Sequence, residues 1–283
     1  MFRSARVSVV ATAICAVAGV TLAGCDDADG PLSGPAKISV DGRSVNVSCS
    51  GGPVEGRPVI VLLAGAGDPL DKMAGLQKTL SEKDRVCSYD RLGEGTSDQP
   101  DGPQDFEASG KVLTAVLSEV ADDHPVVLAG HSLGGLIAAR YTPEHTDKVK
   151  GLVLMEATTP TAIGDTTGLI PESATGPAAE MRAQMIAVGQ GDFPEKLKVV
   201  DGDVHSAGDI PVEVIEAGKQ EVAGIPQYGP ALERVWSEGQ RKWLGLSSRS
   251  TLTIATESGH YVYLDQPDLA VQAIQRVTTA AAA

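Results

Sequence analysis

Six short apolar runs, at 58–64, 85–89, 125–129, 150–155, 211–217 and 250–255, carry almost no polar alternation. No other feature of the chain constrains its fold as much. A strand with one wet face alternates apolar and polar side chains, whereas a run that is apolar throughout must be covered on both faces. Covering both faces calls for parallel strands with helices packed above and below. The intervening segments 71–81, 108–122, 133–141, 228–246 and 267–278 supply those helices, with apolar residues at helical spacing such as Val112, Ala115, Val116 and Val120. Upstream, 37–40 and 44–49 flank Asp41-Gly42, a dipeptide that accepts the positive φ of a tight hairpin, so the domain opens antiparallel. Asp265 and Pro267 read as the cap and first-turn proline of the last helix. The expectation is an α/β fold on a mostly parallel eight-stranded sheet.

One stretch breaks the alternation. Residues 157–209 are rich in Thr, Pro, Gly and Ala with one amphipathic helix around 178–188, and read as a lid inserted between strands six and seven. The amino terminus is of another kind. Arg3 and Arg6 precede an uncharged apolar stretch from Val7 to Ala23, ending in Leu22-Ala23-Gly24-Cys25 before Asp26-Asp27, the pattern of an export signal. The small residues before Cys25 resemble the lipobox of bacterial lipoproteins, which implies cleavage after residue 24 and lipid on Cys25; an ordinary cleaved signal or an uncleaved anchor is the alternative. Residues 25–36 then form the lipidated cysteine and a Gly/Pro/Ser spacer, and the folded domain spans 37–279 with the lid at 157–209. The expected location is the outer face of a bacterial cell membrane, or the medium if the protein is secreted. Residues 280–283 read as a frayed end.

Lys and Arg number 23 against 37 Asp and Glu, a net charge of −14, and aromatic residues make up only 4%. Such a surface repels phosphate backbones and anionic head groups and offers no stacking platform, so nucleic acid is excluded as a partner and membrane contact is left to the lipid alone. A monomer is expected. Of four cysteines, Cys15 leaves with the signal and Cys25 takes lipid, which leaves Cys49 and Cys87 in an oxidising setting. A disulfide between them is the simple reading, and two buried free thiols the other.

Between the run 125–129 and the helix 133–141 stands Gly130-His131-Ser132-Leu133-Gly134-Gly135, a G-x-S-x-G centred on Ser132. A serine at such a strand-to-helix turn is forced into a strained conformation, and small residues two before and two after it let strand and helix pass closely. Its hydroxyl then projects freely at a helix N-terminus, where unpaired N–H groups stabilise negative charge developing on a substrate oxygen. Further motifs follow the other strands in order: Leu62-Leu63-Ala64-Gly65-Ala66-Gly67, Tyr89-Asp90-Arg91-Leu92-Gly93-Glu94-Gly95-Thr96-Ser97-Asp98, and Ser258-Gly259-His260. The alternating glycines of the first do not make a nucleotide loop, because Leu70 stands where a third glycine is required.

With these motifs in this order, residues 45–277 resemble the α/β-hydrolase superfamily, and within it the exported or lipid-anchored serine hydrolases of bacteria. The resemblance implies an oxyanion hole made by the Leu133 amide and one amide of the loop after the third strand, taken as Ala66. A neutral serine needs a general base, itself oriented by an acid. Among five histidines, His260 falls where the family keeps its base, whereas His131 reads as a packing or hydrogen-bonding residue and His124, His145 and His205 as surface. The family places the acid after either the sixth strand or the seventh, which leaves Glu156 as the preferred residue and Glu221 as the alternative. Asp90 and Arg91 read as scaffold, Trp236 and Trp243 as packing against the sheet. Neither a Cys/His cluster at metal spacing nor a GxxxxGK[ST] loop is present, so no metal and no cofactor is expected. The implied enzyme is a carboxylesterase-like serine hydrolase acting on a small-molecule acyl ester through an acyl-enzyme. A peptidase, thioesterase or acyltransferase would use the same residues, and a non-catalytic binding protein could keep the same fold.

Overall fold

Asp41 and Gly42 both take positive φ, 50° and 78°, and close the hairpin between β1 (Gly34–Val40) and β2 (Arg43–Ser50). The computed structural model describes residues 31–282; the expected signal segment and Cys25 lie outside them. Beyond the hairpin come β3 (Val59–Leu63), α1 (Ala74–Leu80), β4 (Val86–Tyr89), α2 (Phe106–Ala121), β5 (Val126–His131), α3 (Ser132–Tyr141) and β6 (Val149–Met155). The chain continues through α4 (Ala162–Leu169), α5 (Pro177–Gln190), β7 (Pro211–Ala217), α6 (Gly229–Lys242), β8 (Arg249–Ala255), α7 (Val262–Asp265) and α8 (Pro267–Ala281). The eight strands form one sheet in the order β1-β2-β4-β3-β5-β6-β7-β8. The β1–β2 and β2–β4 pairs are antiparallel, and the other neighbours are parallel.

The uninterrupted apolar runs are explained by two cores, one on each face. Val59, Val61 and Leu63 of β3 join Leu113 and Leu117 of α2 and Ile137 of α3, while Ile60 and Leu62 of the same strand join Leu80 of α1 and Ile274 of α8. Successive side chains of a strand point to opposite faces, so every position of a central strand is a core position. At the sheet edge this need disappears, and β8 alternates, with only Ala255 of its residues buried. The expectation of two-sided burial is therefore corrected for β8. Other elements differ too: β5 runs on to His131, and α8 continues to Ala281 through the stretch read as a frayed end. The sheet begins at Gly34, because β1 pairs with β2 from Gly34 opposite Cys49. Helix α4, whose mixed composition gave no periodicity, joins α5 between β6 and β7. Gln266, not Asp265, holds the cap position of α8 and makes no side-chain capping bond; the Asp265 carboxylate instead accepts the Gly259 N–H at 2.8 Å.

In the β2–β4 ladder Cys49 lies directly opposite Cys87, their Cα atoms 4.1 Å apart, and the two form a disulfide. It closes a separation of 38 residues and joins the antiparallel hairpin to the parallel part of the sheet. Chain-entropy reasoning gives a loop of that length about 4 kcal/mol of stabilisation. Urea unfolding of the folded domain with and without reductant measures this. A midpoint lowered by the equivalent of about 2–4 kcal/mol is expected, and an unchanged midpoint contradicts the assignment.

Candidate active site

Strand β5 ends at His131 and helix α3 begins at Ser132, with no residue between them. The chain turns by placing Ser132 in the left-handed region at φ 49°, a conformation that costs a non-glycine residue about 1–2 kcal/mol. The flanking glycines make the turn possible. A Cβ on Gly130 would stand 2.6 Å from the Gly134 carbonyl oxygen, and one on Gly134 would overlap the carbonyl oxygens of Leu63 and Ala64. The second contact also seats the start of α3 against the loop that follows β3.

The ladder sets what stands beside Ser132. His131 pairs with Met155 across β5 and β6, so Ser132 and Glu156 leave adjacent strands at the same level, and Glu156 too is left-handed, at φ 47°. Its carboxylate is buried at 5% exposure and accepts the Ala217 N–H at 2.6 Å and the indole N–H of Trp236. Burial pushes its pKa up to about 7, with those two donors and no cation opposing.

His260 stands in the loop between β8 and α7. The loop is tied by the Lys219 N–H to the Ser258 carbonyl at 2.9 Å, by the Asp265 carboxylate on the Gly259 N–H, and by His131. The His131 Nε2 lies 2.9 Å from the His260 carbonyl, which can only accept, so Nε2 carries the proton. Burial drives the His131 pKa down to about 3, keeping the ring neutral, and the two imidazole centroids are 4.6 Å apart. His131 thus joins the residue before the elbow to the backbone of His260. Burial holds the His260 ring below its ordinary value, while Glu221 and then Asp68 pull it back. Glu221 is exposed, and its carboxylate abuts Gly259, where a Cβ would overlap it. Among the described residues no hydrogen bond joins Ser132 to His260, or His260 to either glutamate. The groups are gathered without being locked, as is common where such bonds tighten only around a substrate.

A cavity of about 340 Å³ opens beside His260 and Glu156, with Met181 and Met185 of α5 and Leu232 and Trp236 of α6 in its wall. Ser132 is partly exposed and lies outside that lining. The Leu133 amide is at the N-terminus of α3, and Ala66 is exposed on the facing loop. The next amide, Gly67, is occupied by the Glu94 carboxylate at 2.8 Å.

Residues 58–201 match the family model described as alpha/beta hydrolase fold. The chain belongs to the alpha/beta hydrolase family. Among relatives of this alpha/beta hydrolase, the protein YqjL of Bacillus subtilis is 25% identical over 224 residues, covering 78% of this chain and 84% of its own. The human (Lyso)-N-acylphosphatidylethanolamine lipase is 31% identical over 103 residues, 35% of this chain and 30% of its own. In fold, the enol-lactonase of Burkholderia xenovorans superposes with a TM-score of 0.62 at 16% identity, covering 86% of this chain and all of its own. The carboxylesterase CesB of Bacillus subtilis does so at 0.58 and 16%, covering 87% and 91%.

Two arrangements at this site had no sequence signal. Trp236, read as packing, donates to Glu156 from 80 positions away, whereas Trp243 does pack, at 1% exposure. Arg91, read as scaffold, forms its shortest ion pair with Glu195, 104 positions away, at 2.7 Å. Asp90 keeps the structural part expected of it, accepting the Leu70 N–H at 2.7 Å and the Asn46 amide at 2.8 Å.

A raised Glu156 and a lowered His260 set the pH response. Below about 7 the Glu156 carboxyl is protonated and has no charge to offer a neighbouring cation, while burial favours the neutral form of His260. Hydrolytic turnover followed as kcat/KM against pH is therefore expected to fall on the acid side with a midpoint near 7. A midpoint below the ordinary histidine value of 6.5 would contradict control by Glu156 and assign the limb to His260.

Proposed function

We propose that the protein is a serine hydrolase that cleaves small acyl esters through a covalent acyl-enzyme. The observation that carries this reading is the conjunction at one rim: a left-handed Ser132 at a helix N-terminus, His260 tied to the elbow through His131, and a buried, doubly hydrogen-bonded Glu156 one strand away. The Ser132 oxygen bonds to the acyl carbon as its proton passes to His260, and the Leu133 and Ala66 amides receive the charge forming on the carbonyl oxygen. Collapse breaks the bond to the alcohol, which leaves with the proton from His260. Water, deprotonated in turn by His260, attacks the acyl-enzyme and releases a carboxylic acid and free Ser132.

Glu156 is the acid of this scheme because a partner that orients an imidazole must itself be fixed, and both its oxygens are held. Glu221 is exposed and makes no hydrogen bond among the described residues. Esters are preferred to amides since an alcohol leaves with less help than an amine, and the lipase, carboxylesterase and enol-lactonase names among the similar proteins support that preference. The Cys49–Cys87 disulfide supports an exported protein, held outside the membrane by lipid on Cys25 or secreted.

An alkyl fluorophosphonate is expected to label Ser132 in the folded protein and to fail after heat denaturation or in Ser132→Ala. Labelling that survives denaturation, or none in the native protein, contradicts an activated nucleophile. In ester turnover, Glu156→Gln is expected to lower kcat by about 10³–10⁴, and Glu221→Gln by less than about tenfold. The reverse pattern would move the acid to Glu221.

A further inference from the structure

We propose that Arg91 is a positioning residue for the oxyanion hole, aiming the Ala66 amide at the elbow through the carbonyl of the same peptide. The inference rests on the Ala66 assignment under Proposed function. Arg91 is buried at 6% exposure, and its guanidinium donates three ways: Nη1 to the Ala64 carbonyl at 2.6 Å, Nη2 to the Gly65 carbonyl at 2.8 Å, and Nε to Glu195 at 2.7 Å. In a planar trans peptide the C=O of one residue and the N–H of the next point in opposite directions. Holding the Gly65 oxygen toward Arg91 therefore turns the Ala66 N–H away from it. The elbow packs against this same loop: a Cβ on Gly65 would meet His131 Nδ1 at 2.9 Å, and one on Gly134 would overlap the Ala64 carbonyl that Arg91 also holds.

The neighbouring amide is tied off separately. Glu94, 3.6 Å from Arg91, accepts the Gly67 N–H, so that amide is taken, whereas the Ala66 N–H has no acceptor among the described residues. A rigid planar fork is what this task needs, since two carbonyls and a carboxylate are met by nitrogens fixed relative to one another. Glu195 reaches Arg91 from the segment between β6 and β7, so the inserted chain that walls the cavity also holds the guanidinium in place. An oxyanion donor acts only when the substrate oxygen becomes charged, so its misalignment lowers kcat and leaves substrate affinity nearly untouched.

The test compares p-nitrophenyl butyrate turnover with inhibition by an alkyl trifluoromethyl ketone, which adds a serine oxygen to give a charged tetrahedral adduct. Arg91→Lys keeps the charge and loses the fork. Its kcat is expected to fall at least tenfold with KM within threefold, and the ketone inhibition constant to weaken by the same factor. Ketone affinity within twofold of the parent overturns the inference whatever happens to kcat, because a merely structural role has no reason to track the charged adduct. Ala66→Pro, which deletes the amide proton, separates the two readings. If it leaves ketone affinity unchanged, the Ala66 assignment fails. If it weakens the ketone and Arg91→Lys does not, only the role of Arg91 fails. Should Arg91→Lys not fold, Glu195→Gln takes its place: matched losses of threefold or more in kcat and ketone affinity support the proposal, and no change in either overturns it.

Discussion

The absence of any residue between β5 and α3 is the steric constraint on which the rest of the site depends. A chain that passes from extended to helical in one step must put its pivot in the left-handed region, and Ser132 is that pivot. The step is possible only because Gly130 and Gly134 present no Cβ where backbone passes within contact distance. The same close passage brings the start of α3 against the carbonyls of Leu63 and Ala64, at the root of the loop that carries Ala66. Local backbone strain of about 1–2 kcal/mol thereby places a partly exposed hydroxyl at a helix N-terminus.

The electrostatics of the rim follow from the same packing. Burial shifts several groups there, among them His131 downward to about 3 and Glu156 and Glu94 upward to about 7. Each is tied in place: His131 to the His260 carbonyl, Glu156 to Trp236 and Ala217, and Glu94 to the Gly67 N–H and Arg91. A neutral His131 is suited to anchor a backbone carbonyl through one N–H. A buried carboxylate with no cation beside it is held instead by two N–H donors, which is what lets it stay buried.

The sheet and its two helical layers were legible because burial on both faces leaves unbroken apolar runs, and the elbow was legible because its steric demands fall within six consecutive residues. What escaped was of two kinds. Helix α4 and the alternation in β8 depend on what covers a segment, which periodicity does not record. Asp265 shows how a local rule can be outbid, since its carboxylate serves Gly259 in place of the helix it precedes. The ties of Trp236 to Glu156 and of Arg91 to Glu195 join residues 80 and 104 positions apart, and no local spacing carries such a signal. The choice between Glu156 and Glu221 was open in the sequence for the same reason: one is buried between donors and the other faces water, a difference made entirely by tertiary packing.

The central claim is that Ser132 becomes covalently acylated in each turnover. Rapid mixing of the folded domain with p-nitrophenyl acetate, followed by acid quench and peptide mass measurement, tests it most directly. The expected result is a burst approaching one nitrophenol per protein, with one acetyl group on the peptide that contains Ser132. Steady release without a burst, under conditions where deacylation is slowed, and no acetylated Ser132 would contradict it.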